Sequence, residues 1–315
     1  MTETLYVVTC VANPLGWASR VALAKAAVAS WLKEPNITVY LTECLYGSDT
    51  NYELASLASN RVVHIGVRAT TAAWTKENLL NIAVAKIPPA AQKIAFLDAD
   101  VTFRQGGWAA RALAALNLYP VIQPWTQALD LGPNDEVMSV HTSFASVWHA
   151  GKPIVPIGTK FWTDSNYTYP HPGYAWAWQR GTLDTVGGLY AQAGMGAADH
   201  SMAVAMVGKY QLGIQKGMGA GYRASVAAWS SRAHAQIQGK IGYTADTIEH
   251  PFHGKKVNRG YQSRWSSFVD AGFDPTTDLK TNSYGVVEFS GNKPALELQW
   301  LNYLRARDED ANSIK

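Results

Sequence analysis

Over its first 125 residues the chain switches repeatedly between two hydrophobic periods. Short apolar, β-branched runs at 5–11, 37–42, 61–67, 93–97 and 121–125 read as buried strands. Between them lie stretches with apolar residues three and four apart, predicting helices over 17–33, 53–59, 75–85 and 106–117. Thr75 stands where an N-cap belongs, and Pro35 and Pro88-Pro89 end two of the helices. Short strands alternating with helices imply an α/β fold, a mostly parallel Rossmann-like sheet with helices on both faces. Such sheets bind ligands beyond the carboxyl ends of their strands. At one of those ends the sequence reads Lys93-Ile94-Ala95-Phe96-Leu97-Asp98-Ala99-Asp100.

The rest is less periodic. Residues 126–172 are rich in Pro, Gly, Trp and Tyr and read as loops over a site; 182–189 and 200–207 read as helices. Residues 209–245 are rich in Gly and Ala without a clear period and read as a mobile excursion, and 294–308 as a closing helix. No linker forces a boundary, so one continuous domain over 1–310 is expected.

Two acids separated by one residue share a face on an extended strand, and at its end, where the chain turns, both can still face one cation. Carboxylates suit Mg²⁺ and Mn²⁺, the ions that screen a diphosphate. His250 and His253, in a stretch broken by Pro251 and Gly254, can add an imidazole, which favours Mn²⁺; the spacing does not choose between them. Lys255, Arg259, Tyr261 and Arg264 follow and match phosphate oxygens or their surroundings.

These segments together resemble GT-A glycosyltransferases, in particular family-2-like members of phage and bacterial type. The resemblance implies that 1–125 binds a nucleotide-diphosphate sugar, that 126–265 carries the acceptor side and completes the metal site, and that 266–310 packs against them. Asp98 then contacts ribose or metal, and Asp100 the metal. Thr9, Val11 and Asn13, ending the first strand, match where the family holds the base. Trp74, Lys76 and Asn78 match its donor-side helix. Residues 171–202 resemble its acceptor region, in which a Gly-rich turn, here Gly194-Met195-Gly196-Ala197-Ala198-Asp199, ends in the general base of inverting members. Asp199 takes that role by resemblance, although Ala198 stands where the family often has Glu. The plainer reading makes Asp199 the N-cap of the following helix. A nucleotidyltransferase would need a richer glycine loop than Asn13-Pro14-Leu15-Gly16.

The acceptor is less constrained. Residues 152–265 carry twelve Lys/Arg against five Asp/Glu. Between Lys209 and Lys240 there is no acid, and Tyr210, Tyr222 and Trp229 interleave the basic residues. Charge mixed with aromatic rings suits a polyanion with exposed bases, such as DNA carrying a hydroxymethylated pyrimidine. A surface polysaccharide or other glycan is the alternative acceptor, and a non-catalytic carbohydrate-binding protein the alternative class. The sequence shows no signal peptide and no membrane span, and Cys10 and Cys44 read as core thiols. A cytoplasmic protein is expected.

Overall fold

The computed structural model describes residues 3–154, 169–260 and 263–311. The first half follows the expected alternation: β1 (Leu5–Ala12), α1 (Ala18–Trp31), β2 (Ile37–Tyr46), β3 (Val62–Ala69), α2 (Lys76–Val84), β4 (Lys93–Leu97), β5 (Thr102–Phe103), α3 (Trp108–Ala115) and β6 (Val121–Gln123). The helix expected over 53–59 is a single 3₁₀ turn, Ala55–Leu57. Thr75 occupies the N-cap of α2, but its buried hydroxyl makes no cap bond.

The second half is more regular than its composition suggests. Residues 126–154 form β7 (Gln127–Leu131), β8 (Val137–Ser143) and α4 (Phe144–His149) instead of loops, and β9 (Pro170–His171) pairs with β8. Gly132, Pro133, Gly151 and Pro153 fall between these elements, and the strands are short enough to hide their period. Next come β10 (Ala175–Gln179), α5 (Arg180–Val186), α6 (Ala198–Met206), α7 (Ala220–Ile237), β11 (Ile241–Tyr243) and β12 (Thr247–His250). The chain closes with α8 (Arg264–Asp270), α9 (Pro275–Asp278), the hairpin β13 (Leu279–Thr281) and β14 (Val287–Phe289), and α10 (Pro294–Ala306).

The main sheet has the order β11-β6-β10-β4-β1-β2-β3, and within it only β10 runs against its neighbours. Alternate side chains of its strands feed two cores. Val8, Ile94, Phe96, Trp176 and Trp178 pack under α2, α5, α6 and α7. Val7, Ala95, Leu97, Ala175 and Ala177 pack against Trp31 of α1 and Trp108 of α3. Helices therefore cover both faces, as expected. A second sheet, β5-β12-β7-β8-β9, stands beside the first and carries β12 to the end of β4. Among the described residues no helix is long and apolar enough to cross a membrane.

The excursion expected over 209–245 is largely α7, an 18-residue helix. Its buried residues Tyr222, Val226, Trp229, Ser230, Ala233 and Ile237 recur at helical spacing. Alanine supplies the propensity, while small and polar residues among them blur the apolar stripe. Tyr222 is fully buried, Trp229 is 4% exposed, and the Trp229 indole donates to Gly188 O at 2.9 Å. These two rings belong to the core and cannot stack on a base. Trp229→Ala is accordingly expected to cost about 3–5 kcal/mol of stability, read from a denaturant midpoint. Affinity for DNA at fixed salt should not change; a selective loss of DNA binding without loss of stability would show the ring to be a contact instead.

Candidate functional site

The cleft opens beyond the carboxyl ends of β1, β2 and β4, with a volume of about 370 Å³. At the end of β4 the ladder to β10 continues one step, Asp98 N donating to Tyr174 O at 2.8 Å, and the chain then turns, Val101 N donating to Asp98 O at 3.3 Å. That turn splits the two acids. Asp98 Oδ1 meets Lys76 Nζ, in the first turn of α2, at 2.5 Å. Asp100 instead faces the end of β12 and the loop after it. Its Oδ2 lies 3.2 Å from His253 Nε2 and 3.6 Å from His250 Nε2. The two imidazole nitrogens are 3.1 Å apart. Both histidines thus meet Asp100, and Asp98 stands outside this cluster, paired with a cation.

The donor set fits a divalent ion. Among the described residues, Asp100, His250 and His253 form a group with one ligand atom each, all within 4.8 Å of one another. Asp100 Oδ1 is buried without a hydrogen-bond partner, a cost that ligation removes. Two imidazoles and one carboxylate suit Mn²⁺, Zn²⁺ or Fe²⁺ better than Mg²⁺. Each ring is also backed by a carboxylate, the arrangement that orients metal-binding histidines. Asp130 Oδ1 lies 2.9 Å from His250 Nδ1. Asp130 also takes Tyr174 Oη at 2.8 Å and lies 2.6 Å from His141 Nε2. Burial alone would raise the Asp130 carboxyl, but His141 and His250 hold it far below the usual carboxylate range.

Charge sets the state of the cluster. Burial lowers the His250 imidazole, yet Asp100 and Asp130 overcome it and bring its pKa to about 9. Burial likewise raises Asp100, and the two imidazoles hold it well below its ordinary value. A metal needs neutral imidazole, so ion binding must expel a proton from His250. Mn²⁺ affinity is therefore expected to rise about tenfold per pH unit up to about 9 and then level off. The metal-free protein shows the opposite sign: a raised folded-state pKa stabilises below the unfolded value of about 6.5, and this is lost as pH climbs through about 9. Titration with Mn²⁺ at several pH values checks the first statement; a flat profile would contradict it.

Asp199 lines the same cleft. The turn before α6 is left-handed at Gly194, Gly196 and Ala197, and at Ala197 the positive φ of 62° is carried by a residue with a Cβ. Trp74 N pins this turn by donating to Gly194 O at 3.0 Å. Ala197, not Asp199, is the N-cap; Asp199 lies in the first turn of α6, where its Oδ1 accepts from His200 N at 2.8 Å. Glu77, buried on α2, faces the same corner. Burial is the main cause of its pKa rising to about 7; Lys76 opposes the rise and Asp199 adds to it. Lys76 is held charged: burial works against it, but Asp98, Glu77 and Asp199 raise its pKa.

Other expected residues divide. Val11, Trp74, Lys76 and Arg259 line the cleft, as do Arg264, Arg20 and Arg307. Thr9 is fully buried below it, its hydroxyl unpaired. Asn13 closes a local turn, accepting from Trp17 N and donating to Trp17 O, both at 2.9 Å. Asn78 binds the β13–β14 hairpin, donating to Gly285 O at 3.1 Å and accepting from Val287 N at 2.9 Å, and is not among the residues that line the cleft. Lys255 is not among the lining residues, none of residues 209–240 is, and Tyr261 lies outside the described residues. Sequence reasoning assigns no site role to Asp130, Arg20, Arg307 or Glu309, because the contacts that bring them to the site, Asp130 to His250 and Arg20 and His253 to Glu309, join residues far apart along the chain.

Among solved structures, the chain is similar to a mannosyltransferase from Pyrobaculum calidifontis, PcManGT, in complex with GDP-Man and Mn²⁺, with a TM-score of 0.48 and 12% identity over 85% of this chain and 63% of that one. It is similar to TarS 1–349 of S. aureus, with a TM-score of 0.46 and 12% identity over 97% of this chain and 81% of that one. It is also similar to GalNAc-T7 with UDP, GalNAc and Mn²⁺, with a TM-score of 0.40 and 15% identity over 79% of this chain and 43% of that one. The chain thus spans less than two thirds of the first and third of these proteins. No family model matches the chain, and no curated protein matches it in sequence.

Proposed function

We propose that the chain is a metal-dependent glycosyltransferase that moves a sugar from a nucleotide-diphosphate donor to an acceptor hydroxyl with inversion, working as a single domain over 1–310 in the cytoplasm. The observation that carries the reading is the meeting of Asp100, His250 and His253 in a cleft also lined by Arg20, Lys76, Arg259, Arg264 and Arg307. A divalent ion on these three ligands, with guanidinium and ammonium groups beside it, can hold an anionic, oxygen-rich ligand, and a diphosphate has that chemistry. When bound, the divalent ion supplies charge to the diphosphate oxygens as the sugar–phosphate bond breaks. Val11 and Trp74 border the space for the nucleoside. Asp98, held by Lys76, faces the ribose. Asp199 takes the proton from the acceptor hydroxyl while that oxygen bonds to the anomeric carbon and the diphosphate leaves from the opposite face.

The expectation of a DNA acceptor draws on the basic residues and the aromatic rings of 209–240, and two of those three rings are core residues. Glycan and DNA hydroxyls therefore enter the test as equals. The test incubates the protein with Mn²⁺, a panel of nucleotide sugars, and either oligosaccharides or DNA with and without 5-hydroxymethylcytosine. Released nucleoside diphosphate and the mass of each acceptor are then measured. Mn²⁺-dependent release that chelation abolishes supports the reading, and the acceptor that gains a hexose mass names itself. Absence of both turnover and binding of every nucleotide sugar would sink it, leaving the non-catalytic alternative only if free sugars bind.

A further inference from the structure

Residues 307–310, just beyond α10, reach the ion cluster from a part of the chain that holds none of the expected site residues. Glu309 is 2% exposed, and its carboxylate is shared among three groups. Arg20, on α1, donates from Nε to Oε2 at 2.5 Å and from Nη2 to Oε1 at 2.9 Å. Arg307 Nε donates to Oε1 at 2.6 Å. His253 Nδ1 lies 3.7 Å from Oε2, a distance at which the contact acts through charge. Burial raises the Glu309 carboxyl, but Arg20 foremost, with His253 and Arg307, holds it well below its usual range, so it is ionised.

Two further contacts keep the segment in place. Asp310 accepts from Ala18 N at 3.0 Å and Ser19 N at 2.9 Å, the free amides that open α1. On its other side the segment lies against Gly254, the residue after His253. Gly254 has φ +79°, and a Cβ there would stand 2.7 Å from Asp308 O and 3.1 Å from Arg307 O. The histidine loop and the tail are thus fitted backbone to backbone, with no room for a side chain between them.

We propose that Glu309 is a positioning residue for His253, so that residues 307–310 are a working part of the metal site. Its negative charge behind Nδ1 favours the tautomer with the proton on Nδ1, leaving on Nε2 a lone pair that faces Arg259 Nη2 at 2.9 Å and that an ion shared with Asp100 and His250 would take from it. Asp130 does the same for His250, so the two rings are presented by carboxylates from well-separated parts of the chain, one on β7 and one beyond α10. The inference rests on the ion-binding reading of the cluster given above.

The test is Mn²⁺ titration of the full chain, followed by the EPR signal of free Mn²⁺, for wild type, Asp100→Asn, Glu309→Gln and Asp310→Asn. Glu309→Gln keeps the shape and removes the charge, and should raise the Mn²⁺ Kd about 10- to 100-fold. Spin-echo modulation of bound Mn²⁺ should show two imidazole nitrogens in wild type and a weakened second coupling in Glu309→Gln. A purely structural role would not move that signature. Should Glu309→Gln fail to fold, Asp310→Asn decides, since it loosens the tail from α1 without altering charge beside His253; it should raise the Kd in the same direction. Wild-type affinity and unchanged modulation in the folded variant would overturn the inference while leaving the metal site intact. Failure of wild type itself to bind Mn²⁺ would overturn the ion-binding reading, and this inference with it.

Discussion

Asp100→Asn is expected to weaken Mn²⁺ binding on the order of a hundredfold or more and to bring sugar transfer to background, while the fold survives. The magnitude follows from the site's composition. Among the described residues three side chains can ligate the ion, and of these Asp100 alone is anionic. Losing even an outer-shell partner of a metal site commonly costs 10–100-fold, so losing a direct charged ligand should cost at least the upper end of that range. The amide of Asn cannot balance the charge of His250, whose pKa is held near 9 largely by this carboxylate. His250 should therefore lose its proton more easily in the variant, and the pH dependence of residual ion binding should flatten below pH 9. Calorimetric titration with Mn²⁺ and a coupled assay for nucleoside diphosphate read both quantities. Full activity in Asp100→Asn would remove the ion from the mechanism.

Asp199→Asn should separate binding from chemistry. Nucleotide-sugar and Mn²⁺ affinity should stay near wild type, and kcat should fall by about 10²–10⁴, the contribution of a positioned general base. The competing role is structural. Asp199 sits in the first turn of α6, where a carboxylate is worth roughly 0.3–1 kcal/mol through the helix dipole. A variant that loses a few degrees of Tm and keeps kcat would assign Asp199 to the helix alone. Buried Glu77 would then be the next carboxyl to examine, its pKa near 7 suiting proton transfer at neutral pH.

How much of the site the sequence carries depends on how local each signal is. Asp98 and Asp100 are legible because a short apolar strand delivers them to the edge where such sheets bind ligands. His250 and His253 are legible because Pro251 and Gly254 mark a loop around them. Their sharing of one ion is not, since it needs β12 to be carried by a second sheet to the end of β4, and nothing local specifies that path. Asp130 lies in Gln127-Ala128-Leu129-Asp130-Leu131, where its partners His250, His141 and Tyr174 belong to other strands and loops. Helix α7 was hidden by small residues at positions that larger apolar ones usually mark, and Asn78 by a hairpin that follows it by some 200 residues, Gly285 to Val287.

The cluster also bears on how the two sheets stay together. Asp100 follows a strand of the main sheet, whereas His250 ends a strand of the second sheet. An ion held by both closes a loop of roughly 150 residues, as a disulfide between those points would. It is a reversible staple whose strength is set by the free concentration of the cation. A change in the supply of that cation would thereby change how firmly the chain resists unfolding, with no substrate involved.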